Sequence, residues 1–242
     1  MIDHSGIRAR LAEVRARIAA AAGRSGRDPA SIHLIAVSKT FPAEDIRAAV
    51  DAGQVDFGEN KVQEALRKMD EIGDAPIRWH HVGHLQSNKA KKAARFDAIH
   101  SIDGVGLLRS VDAAAQAAGR RIDLLVQVDL AGETTKHGAV EADLAGIFAA
   151  GREARAAQIV GLMLLPPMVD DPDAARPFFR ALRDVRQRLL DAGVEAARLR
   201  ELSMGMSHDF EVAIEEGATM VRVGTAIFGA RPRPGARPQP GV

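Results

Sequence analysis

Eight short segments of this chain read as strands, most of them apolar, and a segment with helical spacing follows each of them. The runs are Ile32–Val37, Gln54–Phe57, Arg78–Val82, Ala98–His100, Ile122–Val128, Ile159–Met163, Leu199–Ser203 and Met220–Val223. Between them lie apolar stripes such as Val62, Ala65, Leu66 and Met69, or Phe178, Leu182, Val185 and Leu189. Strict alternation of strand and helix implies parallel strands, because each helix carries the chain back to where the next strand begins. Over 242 residues it predicts a single closed (β/α)8 barrel of the α/β class. The competing arrangement is an open doubly wound sheet. That sheet usually carries a glycine-rich turn after its first strand, where this chain has SKTFP, and no GxGxxG pattern occurs anywhere.

The flanks follow from the same reading. Ile7, Leu11, Val14 and Ile18 share one helical face, so residues 1–29 are expected to add a helix that packs on a barrel spanning 30–230. The segment 231–242 is rich in proline and glycine and is expected to be disordered.

Composition narrows the function. A net charge of +1 gives no global argument for a nucleic-acid or anionic-membrane partner. The basic cluster Lys89, Lys91, Lys92 and Arg95 reads as a solvated helix face. There is no cysteine, which excludes disulfides, zinc–thiolate sites and a thiol nucleophile, and fits a reducing compartment. The opening residues lack the apolar centre of a signal peptide, so a cytoplasmic location is expected. A monomer is expected because no exposed apolar stripe announces an interface.

Barrel enzymes keep their chemistry at the carboxyl ends of the strands, and the unusual residues of this chain fall there. After the first strand comes Lys39, in a protein where only 7 of 33 basic residues are lysine. An apolar strand that ends in lysine can hold the amine in poor solvent, where it loses its proton and attacks an aldehyde, which arginine cannot do. Gly58, Glu59 and Asn60 follow the second strand, and Gly83 and His84 the third. Gly224 and Thr225 follow the eighth strand and open a short helix, while Ser203, Gly205 and Ser207 lie at the end of the seventh. Loops seven and eight are the usual phosphate cup of such a barrel. A lysine and a phosphate cup together suggest a Schiff base with a phosphorylated aldehyde, either pyridoxal 5′-phosphate (PLP) or a phosphosugar. His80 and His84 stand four residues apart, but a strand-to-loop placement and the missing carboxylate argue against zinc, and no metal is expected.

The motifs AVSKTFP, FGENKVQEA, WHHVGHLQSNKAK, ETTKHG, GLMLLPP and LSMGMSHDFEVAIEEGATMVRVGTAIFGAR, in this order, resemble the pyridoxal phosphate homeostasis protein family. The family is similar to the barrel domain of alanine racemase without its second, β-rich domain. The resemblance implies that Lys39 carries PLP as an internal aldimine. It implies that Ser207, Gly224, Thr225 and the Ser203–Met204 region hold the phosphate. It also puts Arg222 against the pyridine nitrogen and Asn60 near the ring. His84 is expected to pack or hydrogen-bond near the cofactor, and Lys136 to bind it transiently or steer its phosphate.

Related racemases use a second acid–base group, tyrosine or cysteine, and this chain has neither. It also has no spare length for the extra domain. The expectation is a non-catalytic carrier in vitamin B6 homeostasis, with no catalytic residues, that releases PLP to apo-enzymes. A racemase or lyase of the barrel type and a phosphosugar aldolase are the alternatives.

Overall fold

The computed structural model describes residues 4–130 and 137–230. Helix α1 (His4–Arg24) precedes β1 (His33–Val37), α2 (Ala43–Asp51), β2 (Asp56–Glu59), α3 (Val62–Ile72) and β3 (Arg78–His81). A 3-10 turn (Ser87–Lys89) leads into α4 (Ala90–Ala93) and β4 (Ala98–Ile102). Then come α5 (Val105–Ala117), β5 (Ile122–Gln127), α6 (Glu141–Glu153), β6 (Ala157–Met163) and α7 (Arg176–Asp191). The chain continues with β7 (Glu201–Met206), α8 (Phe210–Glu215), β8 (Met220–Val223) and α9 (Thr225–Phe228). All eight strands are parallel and in sequence order, and β8 pairs with β1 to close the barrel.

Period-two alternation sorts the side chains into two cores. Ile35, Leu125, Val160, Met163 and Met220 point into the barrel. Leu34, Ala36, Leu124, Val126, Val221 and Val223 point outward and pack under the helices. Both faces of every strand are therefore covered, as parallel sheets require. Helix α1 adds to the outer layer through Ile7, Leu11, Val14 and Ile18, all buried. Its arginines tie it down, Arg17 to Glu211, Arg24 to Glu215, and Arg10 to the carbonyl of Ile227.

Most strand ends shift by one or two residues from the sequence reading, β4 running on to Ile102 and β6 starting at Ala157, and three differences are instructive. The second strand begins at Asp56 rather than Gln54, because the Gln54 side-chain amide donates to the carbonyls of Leu34 and Asp56 and makes a loop there. The seventh begins at Glu201 and runs to Met206, since Leu199 closes a 3-10 turn through its N–H to Ala196. The helix expected near Asn88–Arg95 is one short turn after the 3-10 segment. On α7 the core contact is Phe179, with Phe178 only packed at its edge.

A buried ionic clasp fixes the turn after β1. Lys68, from α3, is 1% exposed, and its ammonium donates to the Ser38 carbonyl (2.8 Å), Glu59 Oε1 (2.6 Å) and Glu64 Oε1 (2.8 Å). The Ser38 hydroxyl donates to the same Glu59 oxygen at 2.7 Å, and the Thr40 N–H donates to Glu64 at 2.7 Å. Thr40 has φ +70°, a left-handed conformation costly for a β-branched residue. The clasp therefore holds the backbone on both sides of residue 39, with the strained Thr40 on one of them. Burial raises the Glu59 carboxyl, with Lys68 and Ser38 pulling it back.

Lys68→Met should strand Glu59 without its cation and cost about 3–5 kcal/mol in denaturant unfolding, with much of the loss recovered on adding Glu59→Gln. A second prediction concerns His81, which is buried edge-on against Phe96 and has no hydrogen-bond partner for Nδ1 among the described residues. Burial, then the charge of His84, lowers its imidazole from 6.5 to about 4. An imidazole depressed in the folded state contributes stability above the unfolded value and loses it as pH falls through the folded one. Thermal melts should therefore drop between pH 6.5 and about 4, with roughly 3 kcal/mol from this group. His81→Phe should flatten that limb of the profile.

Candidate functional site

Closure of the barrel brings the loops after β7, β8 and β1 side by side. Ala36 is in register with Val223, so the chain leaving β1 toward Lys39 runs beside the chain leaving β8 toward Gly224 and Thr225. The contact is close, since a Cβ on Gly224 would stand 3.2 Å from the Val37 carbonyl oxygen. From the β7 side the Ser207 hydroxyl accepts the N–H groups of Gly224 (3.1 Å) and Ala226 (3.4 Å). Gly205, with φ +90°, lets β7 turn here, where any Cβ would meet Ala213 at 2.6 Å and Phe210 at 2.9 Å. Lys39, half-buried in its turn, thus shares one sector of the rim with Ser207, Gly224 and Thr225.

Beneath that sector lies Arg222. It is 4% exposed, and its N–H groups donate to Ser203 Oγ at 2.6 Å and to the Leu164 carbonyl at 2.9 Å. It makes no ion pair with any described residue. Burial lowers the guanidinium to about 10, Asp209 acting in the opposite sense, so it remains a cation at neutral pH. A buried cation aimed at the rim, with no carboxylate against it, suits a ligand that offers an acceptor.

Two of the expected phosphate contacts are placed differently. The Ser203 hydroxyl is fully buried and engaged by Arg222 and by His100 at 2.9 Å, so it points into the barrel and away from the cup. Met204 turns its side chain outward into the helix-facing core. Only backbone groups of that pair remain for a phosphate.

Asn60 follows β2, half-buried, and packs so closely on the next loop that a Cβ on Gly83 would meet its carbonyl at 2.5 Å. His84 belongs to a separate sector. Its ring stacks on His137 with centroids 3.5 Å apart, and its Nδ1 lies 3.7 Å from Asp103. Burial, then His137, lowers its imidazole, with Asp103 opposing. The candidate ligand atoms of His84, Asp103 and His137 lie within 4.8 Å of one another, but the imidazoles present their faces to each other. His80 and His84 do not meet, because His80 points into the barrel. Lys136 lies outside the described residues.

The clasp through Lys68 was missed by the sequence reading, which saw α3 only as an apolar stripe. A lysine at a position flanked by Ala65 and Met69 on the buried face was the available signal. A concavity of about 760 Å³ between α1 and α2 is bordered by Arg8, Glu44, Arg47 and Asp51 and lies away from the rim residues.

The donor set fits PLP. An amine sits at the end of an apolar strand, a close backbone approach adjoins it at Gly224, and a lone buried guanidinium lies below. Known proteins point the same way. The alanine racemase N-terminal domain family matches residues 9–232. A pyridoxal phosphate homeostasis protein of Aquifex aeolicus is 42% identical over 92% of this chain and 97% of its own length. One from Escherichia coli is 40% identical over 91% of this chain and 95% of its own. The solved structure of PipY from Synechococcus elongatus with PLP bound has 41% identity and a TM-score of 0.81 over 92% of this chain and all of its own. Alanine racemase of Corynebacterium glutamicum shares the fold, with a TM-score of 0.71 at 17% identity. This chain therefore belongs to the pyridoxal phosphate homeostasis protein family, built on the alanine racemase N-terminal domain.

Proposed function

We propose that this protein binds PLP covalently through Lys39, holds it without turning it over, and passes it to apo-enzymes that need it. The observation that carries the reading is the convergence of Lys39, the Ser207–Gly224 contact and the unpaired Arg222 in one sector of the rim. The names of the relatives and the PLP-bound PipY structure support it.

When bound, PLP supplies an electrophilic aldehyde, which condenses with an amine and releases one water. Lys39 provides that amine, and the clasp around Ser38 and Thr40 keeps its backbone from moving as the bond forms and breaks. Ser207, Gly224 and Thr225 hold the phosphate, together with the Ser203–Met204 backbone. Asn60 lies beside the ring, with His84 farther round the rim. Arg222 can only donate, so it leaves a ring nitrogen unprotonated and keeps the ring a weak electron sink.

A weak sink suits storage better than carbanion chemistry. The chain also lacks tyrosine and cysteine, so the second acid–base group of a racemase is missing from it. Exposed large apolar residues among those described are scattered, namely Val55, Val140 and Met168, which supports action as a monomer. No helix among the described residues is long and apolar enough to cross a membrane.

The purified protein mixed with PLP should show the visible band of a lysine imine. Lys39→Ala should lose it, and Lys136→Ala should keep it. With a panel of amino acids, neither optical rotation nor keto-acid formation should change. Turnover of any of them would favour the racemase or lyase reading.

A further inference from the structure

A line of buried polar side chains crosses the barrel interior beneath Arg222. Its four members come from four strands, a fifth if Arg222 on β8 is counted, and they occupy inward-facing positions. Asp56 opens β2 at the amino-terminal end, with its side chain 16% exposed. His80 on β3, His100 on β4 and Ser203 on β7 are essentially inaccessible. Each meets the next at hydrogen-bond distance. Asp56 Oδ1 lies 2.9 Å from His80 Nε2, and His80 Nδ1 lies 3.0 Å from His100 Nε2. His100 Nδ1 lies 2.9 Å from Ser203 Oγ, which accepts from Arg222 at 2.6 Å.

With both imidazoles neutral, the polarity of this line has one solution. Arg222 has no acceptor, so Ser203 Oγ must accept from it. The single hydroxyl proton then goes to His100 Nδ1, which must carry a lone pair. His100 is protonated on Nε2 and donates to His80 Nδ1, and His80 Nε2–H donates to the Asp56 carboxylate. Reversing the two imidazoles would set a lone pair of His80 against that carboxylate at 2.9 Å. Every donor thus points from Arg222 toward Asp56, and no polar atom in the line is left unsatisfied.

The surroundings hold the two neighbours of His80 in this state. Burial, with the neighbouring basic groups His80, Arg222, His81 and Arg78, keeps His100 well below the usual imidazole range. Burial alone would raise the Asp56 carboxyl, but the hydrogen bond and nearness of His80, with Arg78 and His33, outweigh it and lower it. Asp209 is the acidic group whose charge acts on Arg222, at a distance and without an ion pair.

We propose that Asp56, His80, His100 and Ser203 form a positioning chain that fixes the direction in which Arg222 presents its N–H groups to the cofactor's ring nitrogen. The proposal rests on the reading that Arg222 meets that nitrogen. Ser203 can act as a pure acceptor for the guanidinium only because His100 takes its proton. His100 can do so only because His80 and Asp56 take the next two. A break anywhere frees the hydroxyl to rotate, and the guanidinium loses one of its two anchors.

The test compares the PLP-loaded wild type with Arg222→Lys, His100→Leu, Asp56→Ala and His81→Phe. Two quantities are read: the rate of PLP release to a lysine-rich acceptor peptide, and the pH midpoint of the visible band. Arg222→Lys and His100→Leu should both speed release about tenfold or more and move the midpoint in the same direction. Asp56→Ala, at the partly exposed end, should do so by a few-fold, and it serves if His100→Leu fails to fold. His81→Phe, an equally buried histidine facing outward on the same strand, should change neither quantity. If Arg222→Lys alters both while His100→Leu and Asp56→Ala lower only the melting temperature, the chain is structural packing and the proposal is wrong. If Arg222→Lys alters neither while Lys39→Ala still abolishes the band, Arg222 does not meet the ring, and the chain has no such role.

Discussion

The pairing of β8 with β1 is the contact on which the site depends. Without it the chain would be an open sheet, with its first and last strands at opposite edges and Lys39 far from Gly224. With it, residues separated by most of the sequence become neighbours in register, Ala36 against Val223. Glycine at position 224 lets the two backbones close to van der Waals distance. The ligand site is therefore a product of closure, in the sense that no local segment contains it.

Closure brings the loops together, and burial then sets the chemistry of each group. Lys68 is spent entirely on structure: its ammonium ties three oxygens, and two of them belong to the turn's own partners, Glu59 and Glu64. That leaves Lys39 as the lysine on the β1–β8 side of the rim. Arg222 shows the opposite arrangement, a buried cation anchored by a hydroxyl and a carbonyl and by no carboxylate. Two cations of similar burial thus differ, one neutralised by carboxylates inside the protein and one without an ion pair among the described residues. The same contrast separates His80 and His100, which complete a hydrogen-bonded line, from His81, which is packed against Phe96 with one nitrogen unpaired.

Much of this was legible in the residues. The strand–helix alternation was enough to predict the barrel, and the polar residues after each strand marked the rim on which the candidate site is built. The boundaries of β2 and β7 were misread because Gln54 and Leu199 act through hydrogen bonds that spacing does not reveal. The resemblance implied that Ser203, with Met204, lies in the phosphate-holding region. The structure shows that its position on β7 turns it inward, a matter of strand phase that a one-residue error in the strand reverses. The line from Asp56 to Arg222 was illegible for a different reason, since it joins five strands, and only the closed barrel makes them adjacent.

The central claim is that one particular amine carries the cofactor. Borohydride reduction of the PLP-loaded protein, followed by peptide mass mapping, tests it most directly. The account predicts a pyridoxyl group on Lys39 at near-stoichiometric yield. A stoichiometric label on Lys61, Lys89 or Lys136, with Lys39 unmodified, would contradict it.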